Sequence, residues 1–315
     1  MTSAPPSVLV VGSINADIFL DVPRLPLHGE TLAATGSRCL VGGKGSNQAV
    51  AASCTKVPTT FLGQFGSDYA NLMKDYLANA SVKLDPSCKV HSDIVSGQAT
   101  IFLLPSGENA IVIVPGANAV WPTELSQEMK GSIARASVVA LQCEIPAYVN
   151  KLVAMEAKAA GTKVVWDLGG EEREVDDTFL RFVDYMCPNE TELKRLVGSS
   201  EPLETQEQVV NAAKPLQARF GVAVLVTRGS EGSLLLDKDG TLYSQASLPA
   251  QVRDTTGAGD CFRGTFAAML AQQKSIPECL LYAAASSALC VQQYGAKMPS
   301  FEDTQQFLKT INVKI

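Results

Sequence analysis

Apolar positions along this chain fall into short β-branched runs that alternate with longer, helically spaced ones. Residues 7–12 read Ser-Val-Leu-Val-Val-Gly, a continuous apolar run closed by glycine, which predicts a buried parallel strand. Residues 15–40 carry Pro23, Pro26 and Gly29 and predict an extended or hairpin segment away from the main core. Behind Gly42-Gly43-Lys44-Gly45, the small-residue run 46–54 suits a tightly packed helix. Residues 61–63 predict a strand and 69–80 a helix. Two apolar strands, 99–104 and 110–114, flank Pro105-Ser106-Gly107-Glu108, a hairpin signature.

From there the alternation becomes regular. Strands are expected at 138–142, 163–167, 185–187 and 222–227, with helices at 147–160, 179–182, 190–197 and 209–219 between or after them. A second hairpin, 233–237 with 241–244, turns on Lys238-Asp239-Gly240, and two late helices follow at 260–274 and 277–293. Strands alternating with helices predict an α/β fold: a doubly wound, mostly parallel sheet with helices on both faces. The helix-free segments 15–40 and 97–117 are expected to pair into a small accessory β-sheet. The large α/β domain then comprises 1–14, 41–96 and 118–315. The acidic stretch 171–177 reads as a solvated loop face.

Composition narrows the function classes. A chain of 315 residues, 46% hydrophobic and 18% charged, is an ordinary globular protein with room for a large core. Its formal net charge of −6 argues against nucleic acid as a partner. No apolar run is long enough for a transmembrane helix, the N-terminal residues 1–7 lack the features of a secretory signal, and 312–315 do not form the usual peroxisomal tripeptide. The cytoplasm is therefore expected. The eight cysteines include no Cys-x-x-Cys pair and read as small, reduced, apolar side chains, and two histidines are too few for a multi-His metal site. A P-loop and a Gly-x-Ser-x-Gly elbow are both missing, and Gly12 is followed by neither further glycine of a dinucleotide fingerprint.

Polar clusters instead collect where the predicted parallel strands end, the place where ligands gather in such sheets. Gly12-Ser13-Ile14-Asn15-Ala16-Asp17 follows the first strand, Glu144 the strand 138–142, Asn189 and Glu192 the strand 185–187, and Thr227-Arg228-Gly229 the strand 222–227. Each alone reads as a turn or a cap; together at one sheet end they point to a site. Residues 254–260, Asp-Thr-Thr-Gly-Ala-Gly-Asp, compress a strand end, a glycine turn and a helix start into one stretch. The first N–H groups of a helix have no intrahelical partner and bind anions well. A carboxylate there, Asp260, reads either as a charge favouring the helix N-terminus or as a base that takes a proton from a hydroxyl attacking phosphorus.

Four motifs in order, Gly12–Asp17, Gly42-Gly43-Lys44-Gly45-Ser46-Asn47-Gln48-Ala49, Pro188-Asn189-Glu190-Thr191-Glu192 and Asp254–Asp260, make the chain resemble the ribose-kinase branch of the PfkB carbohydrate kinase family nearly end to end. The resemblance implies ATP-dependent phosphorylation of D-ribose at its 5-hydroxyl. Asp260 would be the catalytic base, with Thr255 to Gly259, Gly257, Ala258 and Gly259 included, as the anion hole. Asn15, Asp17, Gly43, Lys44, Asn47 and Glu144 would hold the sugar; Lys44 reads alternatively as a phosphate contact or a surface charge. Asn189 and Glu192 would serve Mg²⁺, through its water shell, and Glu192 reads otherwise as a solvated helix residue. Thr227, Arg228, Gly229, Ser230, Glu231 and Gly232 would line the nucleotide. Asp254 and Thr256, with Cys290, Gln293, Gly295 and Ser300, would bind K⁺.

The resemblance also implies that the accessory strands form a lid over the sugar and a homodimer contact. Three departures stand out: Ser46 where the family usually has alanine, Ala284 at a commonly polar position near the adenine, and a stretch 295–300 one residue longer than usual, which lets the cation register slip by one. Other readings are a family member acting on 2-deoxyribose, fructose or a nucleoside, a non-catalytic sugar-binding protein on this fold, and, from the α/β pattern alone, an NAD(P) oxidoreductase.

Overall fold

Alternate residues of each central strand face opposite helical layers, and this period of two builds the molecule. The computed structural model describes residues 5–170 and 175–312. Residues 171–174 of the acidic stretch, and the terminal residues on which the readings of targeting signals partly rest, lie outside it. Nine strands form one sheet in the order Leu242–Gln245, Ser233–Leu236, Ala223–Thr227, Tyr185–Cys187, Lys163–Gly170, Val138–Cys143, Val8–Val11, Thr59–Leu62 and Lys83–Leu84. All neighbours pair in parallel except the two hairpin strands at the Leu242 edge, which are antiparallel. Val8 and Val10 face one layer, with Phe61, Phe266 and Ala283; Leu9 and Val11 face the other, with Ile133, Val153 and Met186. This is the doubly wound α/β sheet, covered on both faces, that the alternation of strands and helices predicts. Among the described residues no helix is long and apolar enough to cross a membrane.

A separate four-stranded sheet runs Gly36–Gly42, Asn15–Asp21, Gly97–Leu103 and Asn109–Val114. Asn15–Asp21 pairs in parallel with Gly97–Leu103 and antiparallel with Gly36–Gly42, so two distant segments meet in one small layer. Its outer strand exposes Ile111, Val112 and Ile113, each more than half accessible, as is unusual for consecutive apolar residues on a strand.

Some elements carry no strong sequence signal. The helices Gln127–Arg135 and Phe301–Thr310 were not expected, although each opens on a serine N-cap, Ser126 and Ser300. Lys163–Gly170 runs three residues past the expected strand end, because Gly170 resumes the pairing, with Cys143, after a register shift. The late helices start earlier and stop sooner than expected, at Ala258–Ala271 and Ile276–Cys290. All eight cysteines are thiols, and five of them are buried.

Candidate active site

Two helix N-termini, Lys44–Cys54 and Ala258–Ala271, converge on the carboxyl ends of the parallel strands. Gly264 lets them touch, since a Cβ there would run into the Gln48 carbonyl. Gly257, at φ 75°, is the N-cap that turns the chain into the second helix; a residue with a side chain is rarely comfortable there, and Ala296 fills the space a Cβ would need. Asp260 lies in the first turn of that helix and is 5% exposed.

The Asp260 carboxylate accepts from Asn47 Nδ2 at 3.0 Å and from Gln48 Nε2 at 3.3 Å. Gln48 Nε2 also donates to Asp167 Oδ2 at 2.8 Å, and Gln142 Nε2 donates to Gln48 Oε1 at 3.0 Å. Asp167 Oδ1 pairs with Arg263 Nε at 3.0 Å, and Arg263 Nη2 lies 3.8 Å from Glu192 Oε2. Arg263 also donates twice to the Cys187 carbonyl, at 3.1 and 3.0 Å. A continuous polar path therefore joins Asp260 to Glu192 beneath the site. Sequence reasoning missed Gln48, Gln142, Asp167 and Arg263 as members. The signal was present for Arg263, a lone cation inside an apolar helix, and for Asp167, which ends an apolar strand run.

On the other side of Asp260 stand the residues expected to hold a sugar. Glu144 Oε2 accepts from Ser13 Oγ at 2.6 Å and from the Lys44 N–H at 3.0 Å. Asn15 is fixed by Asn118 Nδ2, 2.7 Å from its Oδ1. Asp17 packs on Gly42, where a Cβ would collide with its carboxylate. Burial, then Glu144, then Asp260 push the Asp17 pKa up to about 7. Burial likewise raises Glu144. Lys44 is held more firmly protonated, chiefly by Asp260, with Asp167 and Glu144 adding to it against the cost of burial. Its Nζ lies over Gly169, 2.8 Å from where a Cβ on that glycine would sit. Asn15, Asp17, Gly43, Lys44, Asn47, Glu144 and Asp260 thus come together.

A cavity of about 540 Å³ opens beside Asp260, lined by Thr227, Gly229, Ser230 and Gly232 on one wall and Thr255, Ala258 and Gly259 on another. Two residues expected at the nucleotide are elsewhere. Arg228 is buried, donating to Glu190 Oε1 at 3.3 Å and to the Glu204 carbonyl at 2.7 Å, so it braces the turn; neither it nor Glu231 lines the cavity. A larger cavity, about 670 Å³, lies among Trp166, Phe179, Leu196 and Phe220 and includes only Glu192 of the expected site residues. The converging carboxylates and helix N-termini favour the smaller one.

Asn189 and Glu192 form a capping box: Asn189 Oδ1 accepts the Glu192 N–H at 2.8 Å, and Glu192 Oε2 accepts the Asn189 N–H at 2.8 Å. Glu192 thus closes the helix cap, and its side chain, only 14% exposed beside Arg263, does not have the solvated setting of the alternative reading. A single carboxylate with an amide suits Mg²⁺ held mainly by phosphate and water. In the loop expected to hold K⁺, Asp254 Oδ1 accepts from Thr256 N at 2.9 Å and Thr256 Oγ1 at 2.7 Å, and Oδ2 accepts from Gly295 N at 2.8 Å. A carboxylate has about four acceptor positions, so among the described residues one is left on Oδ2. Cys290 touches the Thr256 carbonyl through Sγ. Ser300 instead caps the final helix, its Oγ bonded to Asp303 and its carbonyl to Thr304, and Gln293 donates its N–H to the Cys290 carbonyl. These contacts bring Asp254, Thr256, Cys290 and Gly295 together, with Gln293 joined to Cys290, whereas Ser300 is engaged at the final helix.

The sequence pattern described as pfkB family carbohydrate kinase matches residues 5–303. The chain belongs to the pfkB family. Within it, a ribokinase of Arabidopsis thaliana is 41% identical, the match covering 99% of this chain and 82% of that protein. A ribokinase of Haemophilus influenzae is 31% identical over 96% of this chain and 98% of its own. The structure of Arabidopsis thaliana ribokinase complexed with ribose and ATP superposes with a TM-score of 0.92 at 39% identity, covering 97% of this chain and 99% of that one. In this pfkB chain the dinucleotide-oxidoreductase reading of the α/β pattern falls away.

Proposed function

We propose that this chain is an ATP-dependent ribokinase, transferring the γ-phosphoryl group to the 5-hydroxyl of D-ribose to give D-ribose 5-phosphate and ADP. The observation that carries the proposal is Asp260, buried at the head of a helix between a pocket of polyol-binding side chains and a nucleotide-sized cavity. An alcohol is far less acidic than a carboxylic acid, so Asp260 takes the proton as the sugar oxygen bonds to phosphorus, not before. Within 255–259 the Gly257 and Gly259 N–H groups receive the charge that builds on the transferring group, since the Thr256 and Ala258 N–H groups already donate to Asp254 Oδ1 and the Thr255 carbonyl. Asn15, Asp17, Gly43, Asn47 and Glu144 orient the hydroxyls, since amides and carboxylates each engage adjacent ones. Lys44 balances the carboxylates around the reacting oxygen. When bound, Mg²⁺ supplies charge neutralisation on the phosphates, with Glu192 and Asn189 positioned to hold its waters. K⁺ would be held by Asp254, Thr256, Cys290 and Gly295, and would order the start of the Ala258–Ala271 helix.

The small sheet is read as a lid that excludes water competing for the phosphoryl group. Its exposed strand, with Ile111, Val112 and Ile113, supports a homodimer through the lid; sedimentation at twice 33.4 kDa checks this, and a monomer at assay concentration removes it. Eight thiols suit the reducing cytoplasm, where we place the reaction.

The test is an ATP-turnover assay over ribose, 2-deoxyribose, fructose and nucleosides, with K⁺ or Na⁺. Ribose is expected to give the highest kcat/KM, with K⁺ raising it. A faster alternative acceptor reassigns the sugar, ribose binding without turnover favours a sensor, and indifference to the cation discards the loop's role.

Asp17 adds a pH dependence. Its carboxyl changes charge near pH 7, and the ionised form accepts hydroxyls on both oxygens, whereas the protonated form must spend one oxygen as a donor. The KM for ribose is expected to fall as pH rises from about 6 to about 8, the range spanning a group that titrates near neutrality, and Asp17→Asn should remove the inflection. Stability moves the other way. The folded chain keeps a proton that the unfolded chain loses above the ordinary value of 3.8, so unliganded stability declines as pH rises from 3.8 through 7. An inflection that survives in Asp17→Asn would assign it to another group.

A further inference from the structure

The far end of the nucleotide cavity is built almost wholly of side chains that cannot read a base. With phosphates at 255–259, beside Asp260, the base falls against Leu248, Pro249, Val252, Ala284, Ala288 and Val291. Of the polar side chains that line the cavity, Thr227, Ser230 and Thr255 lie on the phosphate walls, and the two remaining serines already spend their hydroxyl protons. Ser287 Oγ donates to the Ala258 carbonyl at 3.1 Å, and Ser247 Oγ donates to the Ser230 carbonyl at 2.5 Å. The backbone offers little more. Ala284 and Ala288 sit inside the Ile276–Cys290 helix, and the Val291 carbonyl already accepts from Arg253 N at 2.8 Å and Asp254 N at 3.2 Å. The other wall, Pro249 to Val252, is exposed, with Val252 63% accessible. Any backbone group there that misses a partner on the base stays hydrated, and this costs little.

Discrimination between an amino and an oxo group comes from buried polar groups left unpaired by the wrong ligand, which can reach about 10⁴–10⁵-fold; apolar walls supply only about 10–200-fold. We propose that the phosphoryl-donor site accepts purine nucleoside triphosphates as a class, GTP and inosine triphosphate as well as ATP, and that the alanine at position 284 is what leaves the base unread. The inference rests on the kinase reading above and goes further, to the range of the donor.

Two measurements separate it from that reading. Calorimetry with ADP, GDP and IDP reports base preference without turnover; the three dissociation constants are expected to agree within about 200-fold, the most that apolar contact supplies. With ribose saturating, kcat/KM for ATP, GTP and inosine triphosphate should show the same spread. Failure of all three to turn over, with the three diphosphates bound alike, sinks the kinase reading and leaves the purine-tolerant site standing. A preference for the adenine ligand above about 200-fold, more than apolar walls supply, overturns the inference while leaving the kinase intact; the absence of any diphosphate binding overturns the inference and counts against the kinase reading with it. Ala284→Asn introduces an amide complementary to the adenine N6 and N7 edge, and should move the ADP-to-GDP ratio toward ADP by about tenfold, the value of one good pair. An unchanged ratio in a folded variant overturns the role of Ala284.

Discussion

Replacing Asp260 with asparagine is expected to lower kcat by about 10²–10⁴-fold, the usual worth of a positioned general base, while ribose and ATP still bind. The fold should tolerate the change for a specific reason. Asp260 accepts from two amide donors, Asn47 Nδ2 and Gln48 Nε2, and an asparagine can accept from only one of them and must donate to the other. Gln48 cannot reverse its amide, because Asp167 and Gln142 hold both of its ends. Asn47 can: its Oδ1 is buried with no hydrogen-bond partner among the described residues. Turned about, Asn47 Oδ1 accepts the new N–H, and the pocket keeps its shape. The second consequence is electrostatic. Asp260 is the main support for the charge on Lys44, so the Lys44 pKa falls in the variant. Single-turnover kinetics with calorimetry of ribose binding measure both parts. Turnover equal to that of the unmodified protein would strip Asp260 of its role as base.

How far the sequence carried the site depends on what kind of residue each position needed. Asp260 and Glu144 sit where turn chemistry and strand ends coincide, so their spacing marked them out, whereas Asn47, inside the helix Lys44–Cys54, came forward only through the resemblance to the family. Gln48 and Asp167 sit in runs that packing explains equally well: Gln48 in a helix of small residues, Asp167 in a strand of Val and Trp. Only the tertiary pairing of helix to strand shows that they meet. The same holds for Arg228. Its position after a strand resembles that of a ligand contact, and nothing local says that Glu190 and the Glu204 carbonyl draw the guanidinium inward. The doubly wound sheet was legible because strands buried on both faces have few alternatives. The helices Gln127–Arg135 and Phe301–Thr310 were not, because their polar faces hide the apolar spacing: among their apolar residues only Met129 and Ile133 of the one, and Leu308 of the other, are buried.

Replacing Arg263 with methionine is expected to cost about 3–5 kcal/mol of folding stability, the range for removing one partner of a buried ion pair. Methionine nearly fills the volume and suits the apolar helix, so the loss would come from what it strands. Asp167 is 1% exposed and would keep as hydrogen-bond partners only Gln48 Nε2 and the Gly169 N–H, with Lys44, already shared with Asp260 and Glu144, the cation left near it, and the Cys187 carbonyl would lose both guanidinium bonds. The second effect reaches the nucleotide side. Cys187 is the last residue of its strand and leads directly to Asn189 and Glu192, so loosening it should raise the KM for ATP more than that for ribose. Asp167→Asn in the same chain removes the stranded charge. The double variant should therefore recover part of the stability without restoring the KM for ATP, because the Cys187 carbonyl still lacks its donor. Arg263→Lys should fall between, since one ammonium cannot engage Asp167, Glu192 and the carbonyl in the fixed geometry of a guanidinium. Denaturant unfolding of the three variants, read beside their ATP kinetics, checks the account. A methionine variant as stable as the unmodified chain would mean that Asp167 is held uncharged or solvated, and the buried path from Asp260 to Glu192 would not be the ionic one described.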